Sequence, residues 1–313
     1  MRAILILLAA VLAVAAAQAQ DVAPTKTPFD SQPFLLTPET PPEFPLAEKS
    51  LGEPIPVNQE AMAEAAEATA AVRVIEEENA RVARIRELFN AVADNDETTA
   101  ATLLAAGVPV DSRLPLPAPP EFVARFRDTH LHYFVTIERD VTPLMLAAGL
   151  GQPRMVKLLL ESGASPAAKT KRHRTFALWL AGKGHHVAVM QMLLGVQPDS
   201  EIARSLIEVD LATQTAQLFR DGTVATSVPI SSGRKSFPTK PGEYVVTDKH
   251  TKWRSTLYPA DMPFFMRLSC GDIGFHAGNL PGYPASHGCI RLNRKDAKAL
   301  FNLVPVGTRV VIK

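Results

Sequence analysis

The stretch HAGNLPGYPASHGCIRL, residues 276–292, decides how the C-terminal third of the chain folds and what it can do. The chain has two cysteines in 313 residues, and one of them, Cys289, follows Gly288 with His287 and His276 close by. A thiol with a pKa of about 8.5 is mostly protonated at neutral pH, so a nucleophilic cysteine needs a base or a positive field beside it. Both imidazoles are candidates for that base. Gly288 permits backbone angles closed to other residues and leaves room for a substrate carbonyl. The N–H groups of Gly288 and Cys289 are then expected to hold the oxyanion that forms after attack. Those parts define acyl transfer through a thioester. His276, His287 and Cys289 are not expected to bind zinc, because no fourth ligand stands at a finger-like spacing. No metal and no cofactor are implied.

Outward from this stretch the pattern is that of strands. Ile207, Val209 and Leu211 alternate, and TAQLFRDGTVATSVPI (215–230) reads as a hairpin with Asp221-Gly222 as its turn. GEYVVTD, FFMRLSC, IGFHAG and TRVVIK read as further strands, with Cys270 at the end of a core strand as a small buried hydrophobe. A disulfide between Cys270 and Cys289 is the one alternative pairing. The only good helix runs from about Arg294 to Leu303 with Asn293 as its N-cap. Short strands with one helix predict a mostly-β sandwich or barrel over residues 203–313.

The run S-H-G-C-I-R-L (286–292), preceded by I-G-F-H-A-G, resembles the active-site signature of the L,D-transpeptidases (YkuD-type catalytic domain). ISSGRKSFPTKPGEY (230–244) resembles that family's I-S-x-G followed by P-T-x-x-G. The resemblance covers roughly residues 204–313. It implies Cys289 as nucleophile, His276 as proton donor and acceptor, and peptidoglycan stem peptides as substrate. It also implies a thioester resolved by an amine, which cross-links two stems at their third residues or attaches a protein to the wall. His287, Gly288 and Ser286 are expected to orient the site, and Arg291 to grip a stem carboxylate in the two-pronged manner of a guanidinium. Only 13 positions separate His276 from Cys289, shorter than in many relatives, so a trimmed roof over the site is expected. Two other outcomes fit the same sequence. Water as acceptor would give an L,D-carboxypeptidase or endopeptidase, and an inert β domain would leave a wall-binding ankyrin adaptor.

Upstream of residue 203 the organisation is different. MRAILILLAAVLAVAAAQAQ reads as a secretory signal over residues 1–19, with Ala17-Gln18-Ala19 as the cleavage pattern. Residues 20–57 carry nine prolines and read as a tether. From Asn58 to about Asp94 the chain is rich in Ala, Glu and Arg without proline or glycine, with Ile75, Val82 and Phe89 at seven-residue spacing, and reads as helix. LMLAAGLGQPRMVKLLLESG (144–163) lies over LFNAVADNDETTAATLLAAG (88–107) without gaps. Thr142 and Thr175 are 33 residues apart, and AAGLG (147–151) matches LAGKG (180–184). That period, with T-P-L at its start, resembles the ankyrin repeat. It implies an all-α array over residues 58–200 that either binds a protein partner or serves as a scaffold. An insertion at about 114–137 holds LPLPAPPEF and the strand-like HLHYFVTIE. His185-His186 falls in a repeat turn and reads as solvent-facing surface, while Trp253, Tyr258 and Phe264 read as groove or core.

Charge narrows the partner class. Residues 201–313 carry 15 Lys/Arg against 9 Asp/Glu, while the rest carries 18 against 23. A mildly basic C-terminal part favours a carboxylate-rich substrate and is too weakly charged for nucleic acid. Secretion across the inner membrane to the periplasm or cell wall is expected, with no integral membrane segment after signal cleavage. No titratable cluster in 58–200 resembles a reactive site, so the array is expected to be dispensable for the bare chemistry.

Overall fold

The run without helix breakers forms one uninterrupted helix, α1 (Gln59–Ala93). The computed structural model describes residues 59–257 and 259–313; the stretches read as signal and tether, and Tyr258, lie outside the described residues. Only the end of α1 packs: Ile85, Leu88, Phe89 and Val92 are buried, whereas Ile75 is 50% exposed. The expected stripe from Ile75 to Phe89 is thus used at its C-terminal end alone, because the neighbouring helices cover only the last turns.

Three helix pairs follow one another: the end of α1 with α2 (Glu97–Ala105), α5 (Pro143–Leu150) with α6 (Pro153–Glu161), and α7 (Ala177–Lys183) with α8 (Val187–Leu193). The first helices of the pairs contact one another in series, α1 to α5 to α7, and so do the second helices, α2 to α6 to α8. That stacking is what the repeat predicts. The T-P-L signature is explained at atomic level. Thr142 Oγ1 accepts from the Met145 N–H at 3.2 Å, and Pro143 fills the first helical turn where no N–H partner is needed. In the third copy Phe176 takes the N-cap position and α7 has no side-chain cap.

The insertion corrects one expectation. HLHYFVTIE is not a strand: His132–Thr136 forms a short helix, α4, after another, α3 (Pro120–Ala124). Leu131, Phe134 and Val135 are buried together, a spacing of three and four that suits one helix face against the repeats.

The C-terminal part is an eight-stranded sheet with the order β3-β2-β1-β8-β4-β5-β6-β7. Its strands are β1 (Ser205–Asp210), β2 (Thr215–Arg220), β3 (Thr223–Pro229), β4 (Gly242–His250), β5 (Phe265–Leu268), β6 (Gly274–Ala277), β7 (Ile290–Leu292) and β8 (Arg309–Ile312), with helix α9 (Arg294–Leu303) before β8. The turn between β2 and β3 has Asp221 and Gly222 both at positive φ, as the Asp-Gly pair predicts. Asn293 Oδ1 caps α9 by accepting from the Asp296 N–H. Strand β4 pairs with β8 through residues 242–245 and with β5 through residues 246–250, so it joins two halves whose apolar faces share one core.

Alternation along β4 ties the two parts together. Tyr244 and Val246 enter the β core, while Val245 between them is buried in the core of the helical repeats. His185 Nδ1 lies 3.2 Å from the Glu243 carbonyl, with its ring edge-on to Tyr244, and Gln191 Nε2 donates to the Gly307 carbonyl at 3.0 Å. The neighbouring His186 ring lies so close to Gly151 and Gly184 that a Cβ at either would come within 2.3 and 2.2 Å of it. Of the histidine pair expected at the solvent face, His185 is exposed as expected, while His186 is half-buried and packs between the two glycines. Residues from Asn58 onward form one compact unit. Among the described residues no helix is long and apolar enough to cross a membrane.

Removing the buried Thr142 cap leaves the Met145 N–H without its acceptor. Thr142→Ala should lower unfolding free energy by about 1–2 kcal/mol, read as a reduced urea midpoint, while Thr142→Ser should stay near wild type.

Candidate active site

The cysteine is delivered by a topological necessity. β6 and β7 pair in parallel, with Phe275 opposite Ile290 and His276 opposite Arg291. A parallel pair cannot be closed by a two-residue turn, so the chain must travel back before β7 begins. Here residues 278–289 make that return, and the run ending in Ser286-His287-Gly288-Cys289 is its last part. Phe275 and Ile290 point into the β core and are fully buried. Strand alternation then turns His276, Arg291 and Cys289 to the opposite face. They meet there in a pocket of about 340 Å³, also lined by Asp272, Ser286 and His287.

The return loop is fastened by the segment at 230–242. Backbone bonds link Ser231 and Arg291 in both directions, the Ser232 carbonyl accepts from the Ala285 and Ser286 N–H groups, and the Arg234 N–H donates to the Ser286 carbonyl. Gln214 holds Ser232 from beneath, its Nε2 donating to Ser232 Oγ and its Oε1 accepting from the Ser232 N–H, both at 2.8 Å. Thr239 Oγ1 accepts from the Gly233 N–H at 2.8 Å and donates to the Gly288 carbonyl at 2.7 Å. This threonine gives the P-T pair a structural reason: it ties the cysteine loop at Gly288 to the Gly233 backbone.

Ser286 is the loop's inner lock. Its hydroxyl accepts from the Gly288 N–H at 3.0 Å and donates to the Cys289 carbonyl at 2.5 Å. This corrects the expected oxyanion donors, since the Gly288 N–H is already engaged by Ser286. Gly288 itself adopts φ of +111°, and an added Cβ would meet only Ile273 at 3.5 Å. Backbone conformation rather than space is what requires glycine there.

The Cys289 sulfur sits against the turn between β5 and β6. The Asp272 carbonyl is 3.9 Å from Sγ, and the nearby Gly274 N–H favours the ionised sulfur. The thiol is pushed above its ordinary pKa by burial, which outweighs the opposing pull of the Gly274 N–H, Arg291 and Arg267; Asp272 pushes the same way as burial. His276, buried beside it, is held below its ordinary pKa by desolvation first and by the Arg291 charge. Both shifts favour a neutral thiol and a neutral imidazole at rest. The 2.9 Å contact from His276 Nδ1 to the Ala277 carbonyl fixes the tautomer, because a carbonyl only accepts, and leaves Nε2 as the basic nitrogen.

His287 is also held below its ordinary pKa, by desolvation first and then by Arg234 and Arg291, but its surroundings differ. It is exposed, its ring rests on Phe237, and Arg234 Nη2 lies 2.8 Å from its Nε2. A guanidinium only donates, so that lone pair is engaged. Of the two imidazoles that the sequence leaves open, His276 is the one with a basic nitrogen to offer. The Arg291 guanidinium approaches the Ala285 carbonyl at 3.5 Å from the pocket wall.

The opposite wall is the β4–β5 connection, through Ser255, Leu257, Pro259, Ala260 and Met262. It is laddered by Met262 N–H to the Trp253 carbonyl and Ser255 N–H to the Ala260 carbonyl. The short 13-residue interval does not leave the site unroofed, because the wall comes from elsewhere in the sequence. Trp253 instead stacks on Phe265 under Arg267, and with Phe264 it lines a separate cavity on the far side of this connection. Cys270 is not in a strand. It follows Ser269 in the β5–β6 turn, both at positive φ, with its thiol pushed up to about 11 by burial, and both cysteines are free. Asp272, Gly274, Thr239 and the 255–262 wall carried no sequence signal of their own beyond the quoted motifs. No group of three or more His, Cys, Asp or Glu among the described residues is arranged to hold a metal ion.

Burial of neutral His276 has a consequence for stability. An unfolded chain protonates this imidazole at its ordinary pKa of 6.5, before the folded one does. Its contribution is therefore complete above that value and is lost as pH falls through it toward the lower folded pKa. Urea unfolding at pH 8 and below pH 6 should show this loss, and His276→Gln should make the difference smaller.

Comparison with known proteins finds two separate regions of similarity. The YkuD L,D-transpeptidase catalytic domain matches residues 204–312, and an ankyrin repeat matches residues 139–171. YkuD of Bacillus subtilis (strain 168), named as an L,D-transpeptidase, is 31% identical over 118 residues, covering 37% of this chain and 70% of its own. Ankyrin repeat domain-containing protein 63 of Homo sapiens is 43% identical over 72 residues, 22% of this chain and 19% of its own. A solved L,D-transpeptidase from Mycobacterium smegmatis aligns over 35% of this chain and 58% of its own length, at 23% identity and a TM-score of 0.33.

Proposed function

The chain belongs to the L,D-transpeptidase catalytic-domain family through residues 204–312, and we propose that it is a cysteine-dependent L,D-transpeptidase acting on peptidoglycan stem peptides. The observation that carries this reading is the meeting of Cys289, His276 and Arg291 in one pocket. Cys289 Sγ attacks the carbonyl of the diamino acid at the third stem position while its proton passes to His276 Nε2. General-base help of this kind is what a neutral thiol requires. The Cys289 N–H is the oxyanion donor in this scheme, with Ser286 and Gly288 fixing the backbone that aims it. Collapse breaks the amide to the terminal D-alanine, whose amine takes the proton from His276. An amine of a second stem, or of an envelope protein, then attacks the thioester and gives its proton back through His276 to the departing sulfur. Arg291 holds a stem carboxylate, and His287, steadied by Arg234 and Phe237, borders the entrance.

The product decides between readings that share this nucleophile. Sacculi incubated with the enzyme, digested and weighed by mass spectrometry, should yield stems cross-linked at their third residues. Shortened stems without cross-links would mean water is the acceptor, and binding without any change would leave a wall-binding adaptor. A carbapenem should add one covalent adduct to the wild type and none to Cys289→Ala. His276→Ala should keep the fold and slow acylation by roughly 10²–10⁴-fold. An adduct persisting in Cys289→Ala would defeat the assignment.

The proposal includes export to the periplasm or wall, and it gives the ankyrin-like array a partner-binding role on the protein side. Export rests on the signal-like residues 1–19 and on the fact that peptidoglycan lies outside the cytoplasm. N-terminal sequencing of protein recovered from the envelope should begin near Gln20. Retention of Met1 in the membrane fraction would contradict it.

A further inference from the structure

We infer that the third helical repeat is a positioning element for the catalytic cysteine, acting through Gly182 on the turn of residues 269–273 that cradles the Cys289 sulfur. The inference rests on the reading of Cys289 as nucleophile. It is carried by a continuous set of contacts that begins inside helix α7. A Cβ built on Gly182 would stand 2.4 Å from the Ser269 carbonyl oxygen and 3.1 Å from its carbon. Those atoms are backbone, so no rotamer change can make room. The repeat thus touches the turn at a point where only glycine fits.

The turn is poorly able to absorb displacement. Ser269 and Cys270 are consecutive non-glycine residues at φ of 47° and 56°, a conformation that persists only where neighbours over-determine it. The neighbours are on the page. The Ser269 N–H donates to the Val245 carbonyl, and the Val245 N–H donates to Ser269 Oγ. The Cys270 N–H donates to Thr247 Oγ1, and Arg267 Nη1 donates to the Gly271 carbonyl. Val245 is itself the β4 residue whose side chain is buried among the repeats. The array therefore bears on this turn twice, directly at Gly182 and through Val245.

At the far end of the same turn lie the groups that meet the sulfur. The Asp272 carbonyl lies 3.9 Å from Sγ, and Ile273 packs beneath Gly288. The charged groups facing the thiol are Arg291 from β7, Arg267 from β5 and Asp272 from the turn, with His276 and His287 on the pocket lining. Among the described residues, the opposite wall (Ser255, Leu257, Pro259, Ala260 and Met262) adds no charged residue to that lining. A shift of the turn moves Asp272 and Ile273 relative to Sγ while leaving Arg291, Gly274 and His276 on their own strands. This bears against the expectation that the array is dispensable for the bare chemistry. Whatever tightens or loosens the third repeat is felt at the nucleophile.

The test uses the full chain and the rate of iodoacetamide labelling at Cys289, read by peptide mass so that Cys270 is counted separately. Three variants are compared with wild type: Gly182→Ala, which wedges the contact; Val245→Ala, which loosens the docking; and Met155→Ala, which weakens the repeat core without touching the turn. Gly182→Ala should displace the labelling profile by about half a pH unit or more, equivalent to about a threefold change in rate at fixed pH. Val245→Ala should displace it by a smaller amount. Met155→Ala should lower the thermal midpoint and leave the profile in place. If Gly182→Ala does not fold, Val245→Ala alone decides. Profiles that all coincide with wild type, or that move only in step with thermal stability in all three variants, overturn the inference. Because labelling needs no peptidoglycan, a missing carbapenem adduct or missing cross-links would count against the proposed function and leave this result standing.

Discussion

The parallel pairing of β6 with β7 is the constraint on which the site depends, because it obliges the chain to make a long return just before Cys289. Register puts His276 opposite Arg291, and alternation puts both on the face away from the core, with Cys289 one residue before Ile290. A one-residue slip would bury the cysteine and turn Ile290 toward the pocket. The register is secured where the cost of slipping is largest, at the fully buried Phe275 and Ile290. The 230–242 segment then completes the return loop by supplying backbone partners along its length. Ser286, Thr239 and Gln214 contribute side-chain bonds where regular strand pairing cannot reach.

Electrostatics at the site follow from burial more than from charge. The pocket desolvates both the thiol and the imidazole, and Arg291 reinforces neutrality in His276 while opposing it in Cys289. A neutral pair suits a mechanism in which the proton moves as the sulfur attacks, rather than one that stores a thiolate in advance. The same arrangement explains the different fates of two nearby histidines. His276 keeps a basic nitrogen because its other nitrogen is tied to a carbonyl, whereas His287 lends its lone pair to Arg234 at the pocket's rim.

The helical part is more than an appended module. β4 is buried on both faces, by the β core on one side and by the repeats on the other. A strand covered on both faces loses the clean polar–apolar alternation of a half-exposed one, and GEYVVTD indeed carries Tyr244, Val245 and Val246 in succession. Glycines 151 and 184, matched between repeat copies, have a shared reason in the His186 ring wedged between them.

Much of this was legible in the sequence. The 33-residue period and its Thr-Pro-Leu start determined the helix pairs, because capping and the first-turn proline are local chemistry. The Asp-Gly turn, the Asn293 cap and the alternation in β1 were readable for the same reason. The Ser-His-Gly-Cys run marked Cys289 as the candidate nucleophile, since a cysteine after a glycine with two imidazoles near it suits few other uses. Tertiary structure decided what depends on distant partners. It assigned Gly288's N–H to Ser286, made a helix of the strand-like 132–136 segment by packing Phe134 and Val135 on the repeats, and took Cys270 out of its strand into a left-handed turn. It also supplied the pocket wall from residues 255–262 and set the repeats against β4. None of these is a property of nearest neighbours in sequence. Each is fixed by which backbone groups and apolar surfaces the fold brings together from far along the chain.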